Sequence, residues 1–74
     1  MDESKFLNDF SEIFDETNAS ELSMDTEFKN LDEWSSIAAL GLLAVMEEEY
    51  EAELSSKDIE KSTTIRDIYN IVKG

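Results

Sequence analysis

The 74 residues suffice for one small domain, near the size at which a single hydrophobic core is only just large enough. Hydrophobic side chains make up 41% of the chain, which supports a fold despite a formal net charge of −13 from 19 acidic and 6 basic residues. That charge excludes nucleic-acid binding through a basic patch and disfavours adhesion to anionic membranes.

Cys and His are both absent, which excludes a disulfide framework, a thiolate nucleophile, and imidazole-based general-base or zinc chemistry. The opening MDESKFLNDF is acidic where a secretory signal is basic and then apolar. The longest apolar run, Ile37 to Met46, is too short to span a bilayer. These features lead us to expect a cytoplasmic domain, residues 1–74, with no metal site and no autonomous enzymatic centre.

Helical spacing dominates the chain, which has no Pro and only Gly41 and Gly74. Phe6, Leu7, Phe10, Ile13 and Phe14 follow an i, i+3, i+4, i+7 pattern and predict a helix from about Glu3 to Glu16. From Asp15 to Trp34, polar residues mix with Leu22, Met24, Phe28, Leu31 and Trp34 at irregular spacing. This reads as a long ordered loop pinned to the core by those side chains, and connections of that length are often functional. The loop has acids but neither the glycine nor the ligand spacing of a calcium-binding loop.

Ser35 and Ser36 immediately precede an apolar run, an N-cap signal, and the helix they open extends to about Tyr50 or Glu51. Nothing stronger than loss of pattern marks its end. Ser55 with Asp58 predicts a capped short helix with Ile59 inward. Thr64 with Asp67 repeats the arrangement before a last helix that buries Ile65, Ile68, Tyr69 and Val72. The order is helix, long loop, helix, short helix, helix.

On the second long helix, Tyr50 shares a face with Ala39, Leu42, Leu43 and Met46, which is the expected core stripe. The other face carries Ile37, Leu40, Gly41 and Ala44, then Glu48 and Glu51. A solvated face should not be apolar for two turns and then acidic, so a partner is expected to dock there. The alternative is that the long loop folds over this face and buries Ile37 and Leu40. Gly41 costs about 1 kcal/mol relative to Ala inside a helix, consistent with a close backbone approach. Ser36 has no His to activate it as a nucleophile. A hydroxyl at a helix N-terminus serves either as a plain N-cap or as the carrier of a phosphate ester, which the free N–H groups and the helix dipole favour.

Over nearly its whole length the chain resembles the acyl carrier proteins. The resemblance rests on FKNLDEWSSIAALGLLAVMEEEYEAELSSKDIEKSTTIRDIYNIV, with Glu47-Glu48-Glu49-Tyr50, Glu53-Leu54 and Ser62-Thr63-Thr64-Ile65 in matching places. It implies an all-α, acyl-carrier-like four-helix bundle with three longer helices and one short one. It implies that Ser36 receives phosphopantetheine from a phosphopantetheinyl transferase, making the chain a phosphoprotein whose arm carries thioester-bound cargo. The protein would then be no enzyme but a discrete acyl or aminoacyl carrier and a natural monomer, meeting loading and transfer enzymes that bear basic docking patches. Ile37, Leu40, Gly41 and Ala44 would supply apolar contacts, and Glu47, Glu48 and Glu51 would meet basic partner residues.

The sequence departs from the family at two places. Ser35 stands where the motif has Asp, a residue the family ties to transferase recognition and to the arrangement of metal and phosphate, which points to a particular transferase. Ala38 and Gly41 occupy places often acidic in fatty-acid carriers. With Glu33-Trp34 before the motif, they place the resemblance nearer to carriers of specialised lipid or secondary-metabolite pathways. An adaptor that is never modified and binds a partner through the same helix is the alternative from another class.

Like charge at this density predicts that added salt or divalent cations raise the melting temperature. Thermal melts across a salt series check this, and an unchanged midpoint would mean that the charges are already dispersed or paired.

Overall fold

A computed structural model describes residues 2–74. Its helices are α1 (Glu3–Ser11), α2 (Ser36–Tyr50), α3 (Ser56–Lys61) and α4 (Ile65–Lys73), with 3₁₀ turns at Ala19–Glu21 and Phe28–Asn30 and no strand among the described residues. This is the expected all-helical arrangement, with α3 as the short helix. No helix among the described residues is long and apolar enough to cross a membrane.

Helix α1 starts where the Asp2 carboxylate accepts from the Ser4 N–H at 2.8 Å. It ends at Ser11, five residues short of the expected Glu16. The physical reason lies outside the helix. The N–H groups of Asp15, Glu16 and Thr17, which a continued helix would direct to its own carbonyls, donate instead to the Glu33 carboxylate at 2.6–3.1 Å. Ile13 and Phe14 are carried through tight turns (Ile13 N–H to Phe10 C=O, Phe14 N–H to Ser11 C=O), so Phe14 is buried without being helical.

The core gathers Phe6, Phe10, Phe28, Leu42, Met46, Ile65 and Ile68, all fully buried, with Phe14, Leu22, Met24, Ala38, Ile59 and Tyr69 around them. Aromatic rings run through it in sequence. Tyr69 meets Phe6 edge-on at 5.1 Å, Phe10 meets Phe28 at 5.5 Å, and Phe28 meets Trp34 at 5.0 Å. The chain of contacts thus links both terminal helices to the loop just before α2.

The long loop is tied down by its backbone as well. The carbonyls of Met24 and Thr26 accept from the N–H groups of Arg66 and Ile65 at 2.8 and 3.0 Å, which satisfies donors in the first turn of α4. Thr64 and Asp67 close a capping box on the same turn, and Ser55 with Asp58 closes one on α3. Bonds to the Ser55 N–H and hydroxyl hold the Asp58 carboxyl below its usual value, and the Thr64 and Thr63 N–H groups do the same for Asp67.

On α2 the buried stripe is Ala38, Leu42 and Met46. Ala39 and Leu43, expected in the core, are only half-buried, and Ala38 turns inward instead. Gly41 is also displaced from its expected place on the outward face. It is half-buried, and a Cβ there would meet Ile13 at 3.6 Å, so its close approach is to the turn after α1.

Where α1 meets the end of α2, the buried Asp9 carboxylate accepts from Lys5 Nζ at 2.7 Å and from the Tyr50 hydroxyl at 2.6 Å. Burial pushes the Asp9 carboxyl up, but the bonds from Lys5 and Tyr50 outweigh it and hold the group below its ordinary value. Burial, and then the bond to Asp9, push the Tyr50 hydroxyl up to about 12. A depressed carboxylate contributes stability that is present above its unfolded pKa and lost as pH falls through the folded one. Asp9→Asn should therefore lower stability by about 2 kcal/mol at neutral pH. Its deficit relative to the parent should shrink as pH falls below about 4. Urea titrations of both proteins across that range check the convergence, and a constant deficit would assign the loss to packing.

Candidate functional site

The two serines before α2 divide their labour. Ser35 has extended backbone, and its Oγ accepts from the Ala38 N–H at 3.2 Å, so it is the N-cap. Ser36 is the first helical residue, is exposed, and its hydroxyl makes no hydrogen bond among the described residues. The plain N-cap reading available for Ser36 is thus taken by its neighbour. The first-turn N–H groups of Ser36 and Ile37 have no intrahelical carbonyl to pair with, and no acid lies in that turn to neutralise the helix dipole. An exposed hydroxyl beside free donors at the positive end of a fifteen-residue helix fits the attachment of an anionic group.

Several bonds and contacts tie down the approach to Ser36. Glu33, three residues earlier, accepts from three backbone N–H groups and from the Thr17 hydroxyl at 2.6 Å. The Thr17 hydroxyl is the largest influence holding the Glu33 carboxyl below its usual range; burial opposes it and the N–H groups add to it. Trp34 packs its ring edge-on against Phe28, and its backbone N–H donates to the Leu31 carbonyl at 3.0 Å. An open groove of about 670 Å³ adjoins Ser36 and is lined by Lys29, Trp34, Ser35, Ala39, Ser56, Ile59 and Glu60. Lys29 crosses to α3, donating from Nζ to the carbonyls of Ile59 and Glu60 at 3.2 and 3.1 Å. The sequence pattern singles out neither Lys29 nor Glu33 for such a role, because the two partners of each bridge lie far apart along the chain.

The outward face of α2 lies uncovered. Ile37 is 81% exposed and Leu40 66% exposed, so the loop does not fold over them. Ala44, Glu47, Glu48 and Glu51 continue the exposed stripe, which runs for about 20 Å along the helix. Lys5 reaches Glu49 at 3.5 Å, whereas Glu47, Glu48 and Glu51 have no ion-pair partner among the described residues. The end of α2, where the sequence shows only a fading pattern, is in fact a left-handed cap. Glu51 sits at φ 54°, ψ 32°, with the Ala52 N–H on the Met46 carbonyl at 3.2 Å.

The sequence model of one family, described as Phosphopantetheine attachment site, matches residues 4–72. No curated protein and no solved structure matches significantly. The match covers α2, α3, the groove and all but the first residue of α1 and the last of α4.

Because Ser35 alone caps α2, Ser35→Ala should cost about 1 kcal/mol, or roughly 4–8 °C in Tm for a domain of this size. Ser36→Ala should leave Tm nearly unchanged. Thermal melts of the two variants check the division, and equal losses would place the cap on both residues.

Proposed function

The chain belongs to the phosphopantetheine-attachment family, and from that premise we propose that Ser36 is the serine that takes the group and that the protein is a discrete acyl or aminoacyl carrier of a specialised biosynthetic pathway. Members of this family carry phosphopantetheine covalently and are not themselves catalytic. The terminal thiol of that group supplies the thioester chemistry that a chain without Cys lacks.

The observation that carries the reading is the exposed, unbonded Ser36 hydroxyl at the start of α2, next to a serine that already performs the capping. The residues present suit the group. Ser36 offers its oxygen, the first-turn N–H groups and the dipole favour the phosphate, and Ser35 keeps the turn closed throughout. Trp34 and Ala39 give the groove beside it an apolar wall.

Partners of the family are phosphopantetheinyl transferases and biosynthetic enzymes. In this chain they would dock on α2, with Ile37, Leu40 and Ala44 as apolar contacts. Glu47, Glu48 and Glu51 would meet basic residues. The −13 charge would speed encounter with basic patches, an advantage that salt screens. We place the carrier in the cytoplasm, acting as a monomeric single domain. Ser35, standing where the family motif has Asp, favours a second reading in which the same α2 face serves an unmodified adaptor.

Intact-mass spectrometry after incubation with coenzyme A and a broad-specificity phosphopantetheinyl transferase separates the two. A phosphopantetheine adduct that fragmentation places on Ser36, and that Ser36→Ala abolishes, is the expected result. An adduct on another residue, with Ser35 the nearest candidate, would overturn the assignment. A folded chain that takes no adduct would favour the adaptor.

A further inference from the structure

Helix α3 has six residues, far below the roughly 12–15 at which a helix is even marginal by itself, so it depends on its tethers. Its N-terminus is closed by the Ser55–Asp58 box. At its other end the Ser62 hydroxyl donates to the Asp58 carbonyl at 2.7 Å, and Lys29 Nζ donates to the carbonyls of Ile59 and Glu60. The Ile59 carbonyl also accepts from the Ser62 N–H at 3.1 Å, while the Glu60 carbonyl lies past the last intrahelical donor; together they form the negative end of the helix dipole, so an ammonium group is a natural cap. Lys29 comes from the 3₁₀ turn Phe28–Asn30, some thirty residues away in sequence, and it bridges the long loop to α3.

The same Lys29 lines the groove beside Ser36, and among the described residues it is the only basic side chain that does so. Glu60 brings a carboxylate to that groove. An anion introduced on Ser36 therefore enters a space that already holds one negative group, and whose one cation is occupied by neutral peptide carbonyls. An ionised phosphate oxygen is a stronger partner for an ammonium than a carbonyl is, and Lys has a flexible stem with three rotatable donors.

We propose that Lys29 is a two-position side chain: it caps the C-terminal end of α3 in the unloaded protein, and it moves to the phosphodiester once Ser36 is loaded, releasing that end of α3. The proposal rests on Ser36 as the attachment site. It makes loading itself the event that loosens one wall of the groove, on the side facing the attached group.

Hydrogen exchange of the α3 amides, read by NMR with intact mass confirming the loading state, tests this. Loading should speed exchange at Ile59 to Ser62 by about fivefold, the scale expected when a helix end loses one net hydrogen bond. Lys29→Met should exchange fast before loading and change no further on loading, whereas Lys29→Arg should behave like the parent. Equal exchange in fully loaded and unloaded parent protein would overturn the proposal, as would a loading response that survives in Lys29→Met. A chain that takes no adduct would instead count against the attachment site. Ser36→Glu, which places an anion there without a transferase, then decides the role of Lys29. Faster α3 exchange in Ser36→Glu that Lys29→Met removes supports the exchange of partners, and unchanged exchange overturns it.

Discussion

The Glu33 carboxylate, accepting from the N–H groups of Asp15, Glu16 and Thr17 and from the Thr17 hydroxyl, joins the two ends of the long loop, and the place of Ser36 follows from that closure. Without it the chain after Phe14 would be free to continue as helix, and the segment before α2 would lose its tie to the start of the loop, keeping only Phe28, the Lys29 bridge and the packing of Trp34. With it, the loop becomes a short-circuited ring whose far side leans on α4 through the carbonyls of Met24 and Thr26. Loops in small domains are commonly stiffened by Pro or shaped by Gly. This loop has neither, and side-chain carboxylate chemistry takes their place.

The charges on α2 run against the helix itself. Acids stabilise a helix at its N-terminus and destabilise it at its C-terminus, yet the first turn has none and the last has Glu47, Glu48 and Glu49. Lys5 offsets only the last of these. Glu51, moreover, occupies a left-handed position at which a residue with a Cβ pays about 1–2 kcal/mol and Gly would pay almost nothing. Ile37 and Leu40 add two large apolar side chains left in water. A surface that costs stability along its whole length, in a chain small enough to need every contact, is what the docking proposed for α2 would account for.

Local signals were legible in the sequence wherever a side chain acts on its own neighbourhood. The Ser55–Asp58 and Thr64–Asp67 boxes and the Ser35–Ser36 pair marked three helix starts because each cap spans only three residues. The exposed Ile37 and Leu40 could be read from the single position of Tyr50 further along the helix. What escaped was decided at a distance. Ile13 and Phe14 keep a helical period through turns that are not helix, because the competitor for the backbone, Glu33, lies about twenty residues on. Ala38 and Ala39 could not be ranked by size alone, and the neighbour that claims Gly41, Ile13, belongs to the same misread turn. Within the serine pair, periodicity could not say which hydroxyl would cap and which would face solvent.

Trp34 is the sole tryptophan of the chain, is half-buried, and shares the groove with Ser36 while resting edge-on against Phe28. Indole emission follows the polarity and mobility of its surroundings. The molecule thus contains one indole, separable from Tyr50 and Tyr69 by excitation at the red edge, and it sits two residues from the serine rather than deep in the core. Whatever fills, empties or reshapes that groove acts on the ring's surroundings, so occupancy of the groove can be followed through the indole without an added label.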